Sequence, residues 1–283
     1  MRWGWIIVCL LPWFVGCSAV RVSYNQGPLL AYWWLDGYAD FNSEQAHRVK
    51  AALEDWFAWH RATQLPEYAQ ALAELREQAA NKVSAAQICS QVQAWQQRVE
   101  RAYEHALPAV AEQLRQLTPE QVRRIERQQL KKLAEAEADY HQDDPAERQK
   151  AALKRNVDRA ETLFGKLNPP KLQLLQQALA QSPFNPEIWL AERRQRQADG
   201  IRQLRQWLAE RPDAGSLQAG LRQLGAATFT SPRSAYQANA DSVTGANCAL
   251  SAALHNASTA QQRQHAIGKL KGWEDDLRSL IKR

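Results

Sequence analysis

Strand signals are nearly absent from this chain: it has no run of alternating β-branched residues and no Asn-Gly pair to mark a hairpin. That sets aside sheets, barrels and sandwiches. After the first sixteen residues no window is apolar enough for a membrane helix. The six histidines (His47, His60, His105, His141, His255, His265) never fall at the spacing that puts two ligands on one helix face. The acidic group Glu135, Glu137, Asp139, Asp143 and Asp144 lacks the alternating ligands and glycine of a calcium loop. It reads as a solvated helix end, with Asp144 capping the next helix. No phosphate-binding glycine loop and no Gly-x-Ser-x-Gly occurs. The expectation is a non-enzymatic protein with no metal and no cofactor.

What the chain does have begins at its start. Arg2 precedes an apolar stretch, Trp3 to Val15, that is too short to span a bilayer and suits a signal-peptide core. It ends Phe14-Val15-Gly16-Cys17, which resembles a bacterial lipobox. The resemblance implies cleavage before Cys17, acylation of that cysteine, and stable anchoring by several chains. Phe14 stands where leucine is commoner. Ser18, not Asp, follows the cysteine, which by similarity to sorting rules favours the outer membrane. The expected division is a signal peptide at 1–16, a lipidated tether and aromatic segment at 17–41, and a helical domain at 42–283. A division into two helical subdomains would fall near 142–168.

Removing residues 1–16 leaves 267 of the 283, and the formal charge falls from +6 to +5 as Arg2 departs. A mild positive balance on that side of a membrane excludes nucleic acid as a partner and reads first as solvated helix faces. Of four cysteines, Cys9 leaves with the leader and Cys17 carries lipid, so Cys89 and Cys248 remain. In an oxidising compartment they are a candidate disulfide closing a loop of about 160 residues, which stabilises by roughly 4–5 kcal/mol in the chain-entropy description. Two separately buried thiols are the alternative.

Helix formers dominate the remainder, with apolar residues three and four apart, as in Ile88, Val92, Trp95, Val99 and Tyr103. Asn42 with Gln45, Ser84 with Gln87, Thr118 with Gln121 and Thr259 with Gln262 match capping boxes. Pro119, Pro145, Pro169 and Pro186 suit a first helical turn. These signals place helices near 43–64, 66–81, 84–116, 118–141, 145–166, 169–182, 186–211, 216–224 and 259–282. Pro108 is expected to kink or divide the third. Gly215, Gly220 and Gly225 suggest a loosely helical connector, and 226–258 a loop followed by a helix around 236–255. The Glu192–Arg196 and Arg202–Arg205 run reads as solvated surface. The fold class is all-α, a multi-helix antiparallel bundle of amphipathic helices.

Tyr32, Trp33, Trp34, Asp36 and Tyr38 form the candidate binding segment. They suit a membrane-proximal platform with rings at the headgroup level, or an aromatic groove for a peptide or glycan. The simpler reading is that Leu30, Trp33, Trp34 and Tyr38 fill the core of the first helix.

Cys17-Ser18-Ala19-Val20-Arg21, then Tyr24-Asn25-Gln26-Gly27-Pro28 and Tyr32-Trp33-Trp34-Leu35-Asp36-Gly37-Tyr38, together with Leu167-Asn168-Pro169-Pro170, resemble an uncharacterised family of proteobacterial lipoproteins. That likeness implies fold and localisation, not activity. LTPEQ at 117–121 also resembles the LTxxQ motif of small periplasmic stress chaperones, which are helical cradles for unfolded clients. The expectation is an outer-membrane-anchored, periplasm-facing binding or chaperone-like module for an envelope protein or peptide. The alternatives are an assembly factor with one fixed partner and, less favoured, an envelope hydrolase.

Overall fold

A computed structural model describes residues 19–282. Among them the regular structure is entirely helical. The N-terminal half holds α1 (Ala19–Asn25), α2 (Gly27–Ala39), α3 (Ser43–Trp59), α4 (Leu65–Gln78), α5 (Ala85–Leu114) and α6 (Pro119–Tyr140). After it come α7 (Pro145–Phe164), α8 (Pro169–Ala180), α9 (Pro186–Glu210), α10 (Ala214–Phe229), α11 (Ser234–Asn256) and α12 (Ala260–Ile281). Cys17 and the leader lie outside the described residues.

The start signals act as the sequence says. All four capping boxes form, at Asn42, Ser84, Thr118 and Thr259. Asp144, Asn168, Asn185 and Asp213 cap α7, α8, α9 and α10 through their side-chain oxygens. Each leaves fewer orphan amides at a helix start. Two of the box glutamines also act at long range. Gln45 Nε2 donates to the Gln116 carbonyl at 2.9 Å, Gln121 Nε2 donates to the Asp40 carbonyl at 3.3 Å, and the two side-chain amides pair with each other. The starts of α3 and α6 are thereby locked together.

Three expectations about helix limits change. First, the predicted break between 64 and 66 is a π turn (His60–Gln64) joining α3 to α4 without a gap. Pro66 has no N–H, and the Leu65 N–H reaches five residues back to the His60 carbonyl instead. Second, Pro108 does not divide α5. Leu107 and Ala111 beside it are fully buried against Leu217 and Leu221 of α10, and that burial holds the helix together. Third, α10 is a full helix, not a loose connector. Gly220 admits Trp207 of α9 and Gly225 admits Tyr103 of α5, each so close that an added Cβ would lie within 2.5 Å of a ring atom. These glycines serve close packing.

The apolar stripes meet partners far along the chain. Helix α12 lies along α4, α5 packs on both α10 and α11, and α6 packs on α9. Helices from both sides of 142–168 therefore pack on one another. Buried side chains gather in clusters, one of them Phe164, Leu167, Leu175, Leu254 and Ala266. Polar groups close the same joints. Buried Glu274 of α12 receives Arg76 of α4 at 3.0 Å and Arg278 at 2.9 Å. Glu192, expected on a solvated face, is buried instead and receives Arg233 and the Ser231 hydroxyl.

Cys89 of α5 and Cys248 of α11 are joined, their Cα atoms 5.5 Å apart and 159 positions distant in sequence. A loop of that length makes the bond a strong restraint on the unfolded chain. Replacing both cysteines by serine is expected to lower stability by about 2–5 kcal/mol, read as a shift of the denaturation midpoint, with the intact protein shifting equally under reductant.

Candidate functional site

Helices α1 and α2 follow Cys17 directly and lie on the body through one set of contacts. The Tyr24 hydroxyl meets Nδ1 of His60 at 2.8 Å. Gly27 packs against the Phe57 ring, closer than any side chain would allow. Arg61 joins two ends at once, donating to Asn25 Oδ1 at 3.1 Å and to the Leu280 carbonyl at 2.9 Å. Arg21 pairs with Asp276 of α12 at 3.2 Å.

His60 sits in the middle of this joint. Its ring stacks on Trp56 at 4.7 Å, and Tyr24, Trp59 and Tyr68 surround the rest. Burial among rings disfavours the imidazolium and pushes its pKa down to about 4. Nδ1 of the neutral ring accepts a hydrogen bond from the Tyr24 hydroxyl, and burial in turn raises the Tyr24 pKa to about 12, partly opposed by Arg61. Trp56 and Trp59 are thus half-buried parts of this joint.

The opposite side of α2 is bare. Trp33 is 59% exposed and Trp34 63%, with Leu29 and Leu30 also exposed. The four lie on one stripe of the helix. Val20 and Val22 of α1 extend the apolar exposure, and no charged residue occurs between Val22 and Leu35. The simpler sequence reading, in which Leu30, Trp33, Trp34 and Tyr38 fill the core, is thus overturned for the first three. The reason is that α2 meets α3 and α6 along its other side, where Gly27 and Ala39 are buried. Tyr38 lies half-buried against Trp34, ring centroids 5.0 Å apart.

The remaining candidates have structural tasks. Asp36 Oδ1 accepts the Phe41 N–H at 2.9 Å and secures the turn after α2. Tyr32 packs near Phe41 and lies under the Lys50 ammonium at 4.3 Å. Of the five residues named from the sequence, Trp33 and Trp34 are the exposed pair. The LTPEQ segment is likewise occupied: Thr118 caps α6 and Gln121 bonds to Gln45 and Asp40.

One contact had no signal in the sequence. Lys171 of α8 is wholly shielded from solvent, with Nζ donating to Ser258 Oγ at 2.7 Å and lying 3.7 Å from the centre of the Phe164 ring. Burial and the nearby Arg263 charge push its pKa down to about 8. A lysine beside a serine is a known nucleophile arrangement, but complete burial keeps substrate from this one. The described residues hold no cluster of His, Cys, Asp and Glu suited to a metal ion. Asp144 of the acidic group caps α7, its Oδ1 accepting the Ala146 N–H at 2.9 Å.

Fold and surface define an all-α multi-helix protein that presents an uncharged aromatic stripe at its N-terminal end. The chain belongs to a family of unknown function (DUF6279), which matches residues 37–224. That stretch includes Cys89, LTPEQ and Leu167-Asn168-Pro169-Pro170; Cys248, α11, α12 and most of the aromatic segment lie outside it. No curated protein and no solved structure matches the chain.

Buried bases contribute to the pH response at both ends. Between about pH 6.5 and 4 the unfolded chain holds a proton that folded His60 refuses, so stability falls as pH drops through that window, by up to about 3 kcal/mol. His255, also held neutral by burial, acts in the same direction. A His60→Gln variant is expected to show a shallower acid slope in urea unfolding. At the alkaline end, folded Lys171 releases its proton before the unfolded chain does. Stability therefore rises from about pH 8 toward 10, and Lys171→Met removes that rise.

Proposed function

We propose that this chain is a lipid-anchored, periplasm-facing binding module, held to the outer membrane through Cys17 and resting on the headgroup layer by its exposed α1–α2 stripe. The observation that carries the reading is the stripe itself. Trp33, Trp34, Leu29 and Leu30 stand in solvent, free of charge, within eighteen residues of the acylation candidate. Tryptophan favours the membrane interface, where its ring is half apolar and its N–H stays wet. Lipid chains supply attachment, and the stripe would set the orientation of the body. The body recognises an envelope protein or peptide and does no chemistry of its own. Support for that part is the helical architecture, whose polar groups are largely spent on caps and helix–helix contacts.

The stripe is tested with vesicles of phosphatidylethanolamine and phosphatidylglycerol and the mature full chain bearing Cys17→Ser, which isolates the protein surface from the lipid. Replacing Trp33 and Trp34 by alanine is expected to weaken vesicle partitioning by about tenfold or more; equal partitioning would sink the platform. The binding role is tested by cross-linking and pull-down of the lipidated protein from native envelopes beside the Cys17→Ser form. A stoichiometric partner lost with the anchor would make the chain an assembly factor. A broad set of unfolded clients retained by the soluble form would make it a holdase, and empty captures from both would end the module reading.

A further inference from the structure

A second surface, remote in sequence from the aromatic stripe, carries the opposite character. A groove of about 750 Å³ runs between α7 and α11 and is closed by the end of α6, the end of α8 and the start of α9. That volume falls within the range of ligand sites. Arg148, Arg155 and Arg159 of α7 line one wall, and no Asp or Glu lines the groove. Their spacings of seven and four residues bring all three to one side of the helix.

None of the three meets a carboxylate among the described residues. Arg148 donates through Nε and a terminal nitrogen to the Gln142 carbonyl, at 3.0 and 2.7 Å. Arg155 donates to the Asp139 carbonyl at 2.7 Å and lies over the Tyr140 ring at 4.4 Å. Arg159 has no partner among the described residues. Backbone carbonyls thus hold two guanidinium groups in place without neutralising them, and the remaining N–H groups stay available. Other surface arginines such as Arg222 with Glu104 and Arg205 with Glu126 are matched by carboxylates, whereas these three stand together in one groove without one. A row of unneutralised guanidinium groups favours an anionic ligand, because each forms charge-assisted, often bidentate, bonds to carboxylate.

We propose that this groove binds an extended acidic peptide segment. The helical rise sets Arg148 and Arg155 about 10 Å apart and Arg155 and Arg159 about 6 Å apart. Side chains alternate in direction along an extended strand, so carboxylates facing this one wall stand two or four residues apart, about 7 and 13 Å. The first spacing suits Arg155 and Arg159, and the long arginine stems span the difference from the second at Arg148. A single small anion cannot reach all three, since Arg148 and Arg159 lie about 16 Å apart along the helix. Asn156 and Gln149 on α7 face Asn239 and Asn247 on α11, offering donors and acceptors to a peptide backbone. At the α9 end, Phe184 is exposed and packs with Tyr140 and Trp189, ring centroids 5.0 to 6.3 Å apart, offering an apolar contact for one side chain. An acidic glycan fits less well. Pyranose rings stack on open aromatic faces, whereas Arg155 covers Tyr140 and Arg193 lies 5.6 Å from the Trp189 ring centre.

The assignment rests on the reading of the chain as a binding module and supplies the class of its ligand. The test uses the lipidated full chain in detergent micelles. The probe is a fluorescein-labelled peptide with glutamates two and four residues apart beside one phenylalanine. Expected is saturable binding that weakens at high salt and is lost when glutamines replace the glutamates. Arg159→Glu, which removes no contact present in the fold, should weaken binding by at least about tenfold with an unchanged melting temperature. Equal binding by Arg159→Glu or by the glutamine peptide overturns the proposal, as does tighter binding of an oligogalacturonate or no binding up to about 1 mM. The two readings fail separately. Peptide binding with no envelope partner captured sinks the module and leaves the groove; a captured partner that Arg159→Glu does not release sinks the groove and leaves the module.

Discussion

Helix α12 lying along α4 is the contact on which the rest of the fold depends. It brings the C-terminal residues beside the N-terminal third, and α1 and α7 then pack on α12 in turn. The pairing is fixed by more than apolar burial. Glu274 is buried, and a buried carboxylate is costly unless its charge is matched; Arg76 from α4 and Arg278 from the next turn match it. Only one register of the two helices places Arg76 at that carboxylate. The joint is therefore specific as well as stable, and the Cys89–Cys248 bond holds α11 on α5 in a second place.

The N-terminal joint shows how one arrangement serves two ends. Tyr24, His60 and Arg61 keep α1 and α2 on the body, and Arg61 reaches the Leu280 carbonyl at the end of α12 in the same contact. With that side of α2 occupied, its other side is left to face outward, and the tryptophans go with it. Exposed aromatic stripe and structural seam are two sides of a single helix. In the proposed membrane setting, the stripe would hold the body close to the bilayer, and the cationic groove would be carried on a separate set of helices.

Polar side chains in this protein repeatedly perform two tasks. Gln121 completes the capping box of α6 and also reaches Gln45 and the Asp40 carbonyl. Gln262 does the same for α12, bonding to the Lys166 carbonyl at 3.0 Å. This gives the LTPEQ likeness a physical content that needs no shared client: leucine, cap, proline and glutamine start a helix, and the free amide nitrogen of the glutamine ties that start to a neighbour. Glu192, buried beneath Arg233, illustrates the same economy where a charge run suggested only solvent.

By itself the sequence determined the local structure. Capping residues, first-turn prolines and three-and-four apolar spacing act within a few residues, so the class and most helix starts from α3 onward were legible, as at Asn42, Ser84, Thr118, Asn168 and Thr259, while the starts of α1 and α2 were not. The count of cysteines offered Cys89 and Cys248 as a pair but left open two buried thiols; proximity alone decides that, and the fold supplies it. Tertiary structure also decided what no local rule encodes. It chose which side of α2 is covered, which of its aromatics reach solvent, and that Gly220 and Gly225 are contact points for Trp207 and Tyr103. It buried Lys171 beside Ser258. It also set the three arginines of α7 opposite the amides of α11, more than seventy residues away. Each of these is a relation between helices, and such relations are fixed only when narrow apolar stripes from distant parts of the chain exclude water together.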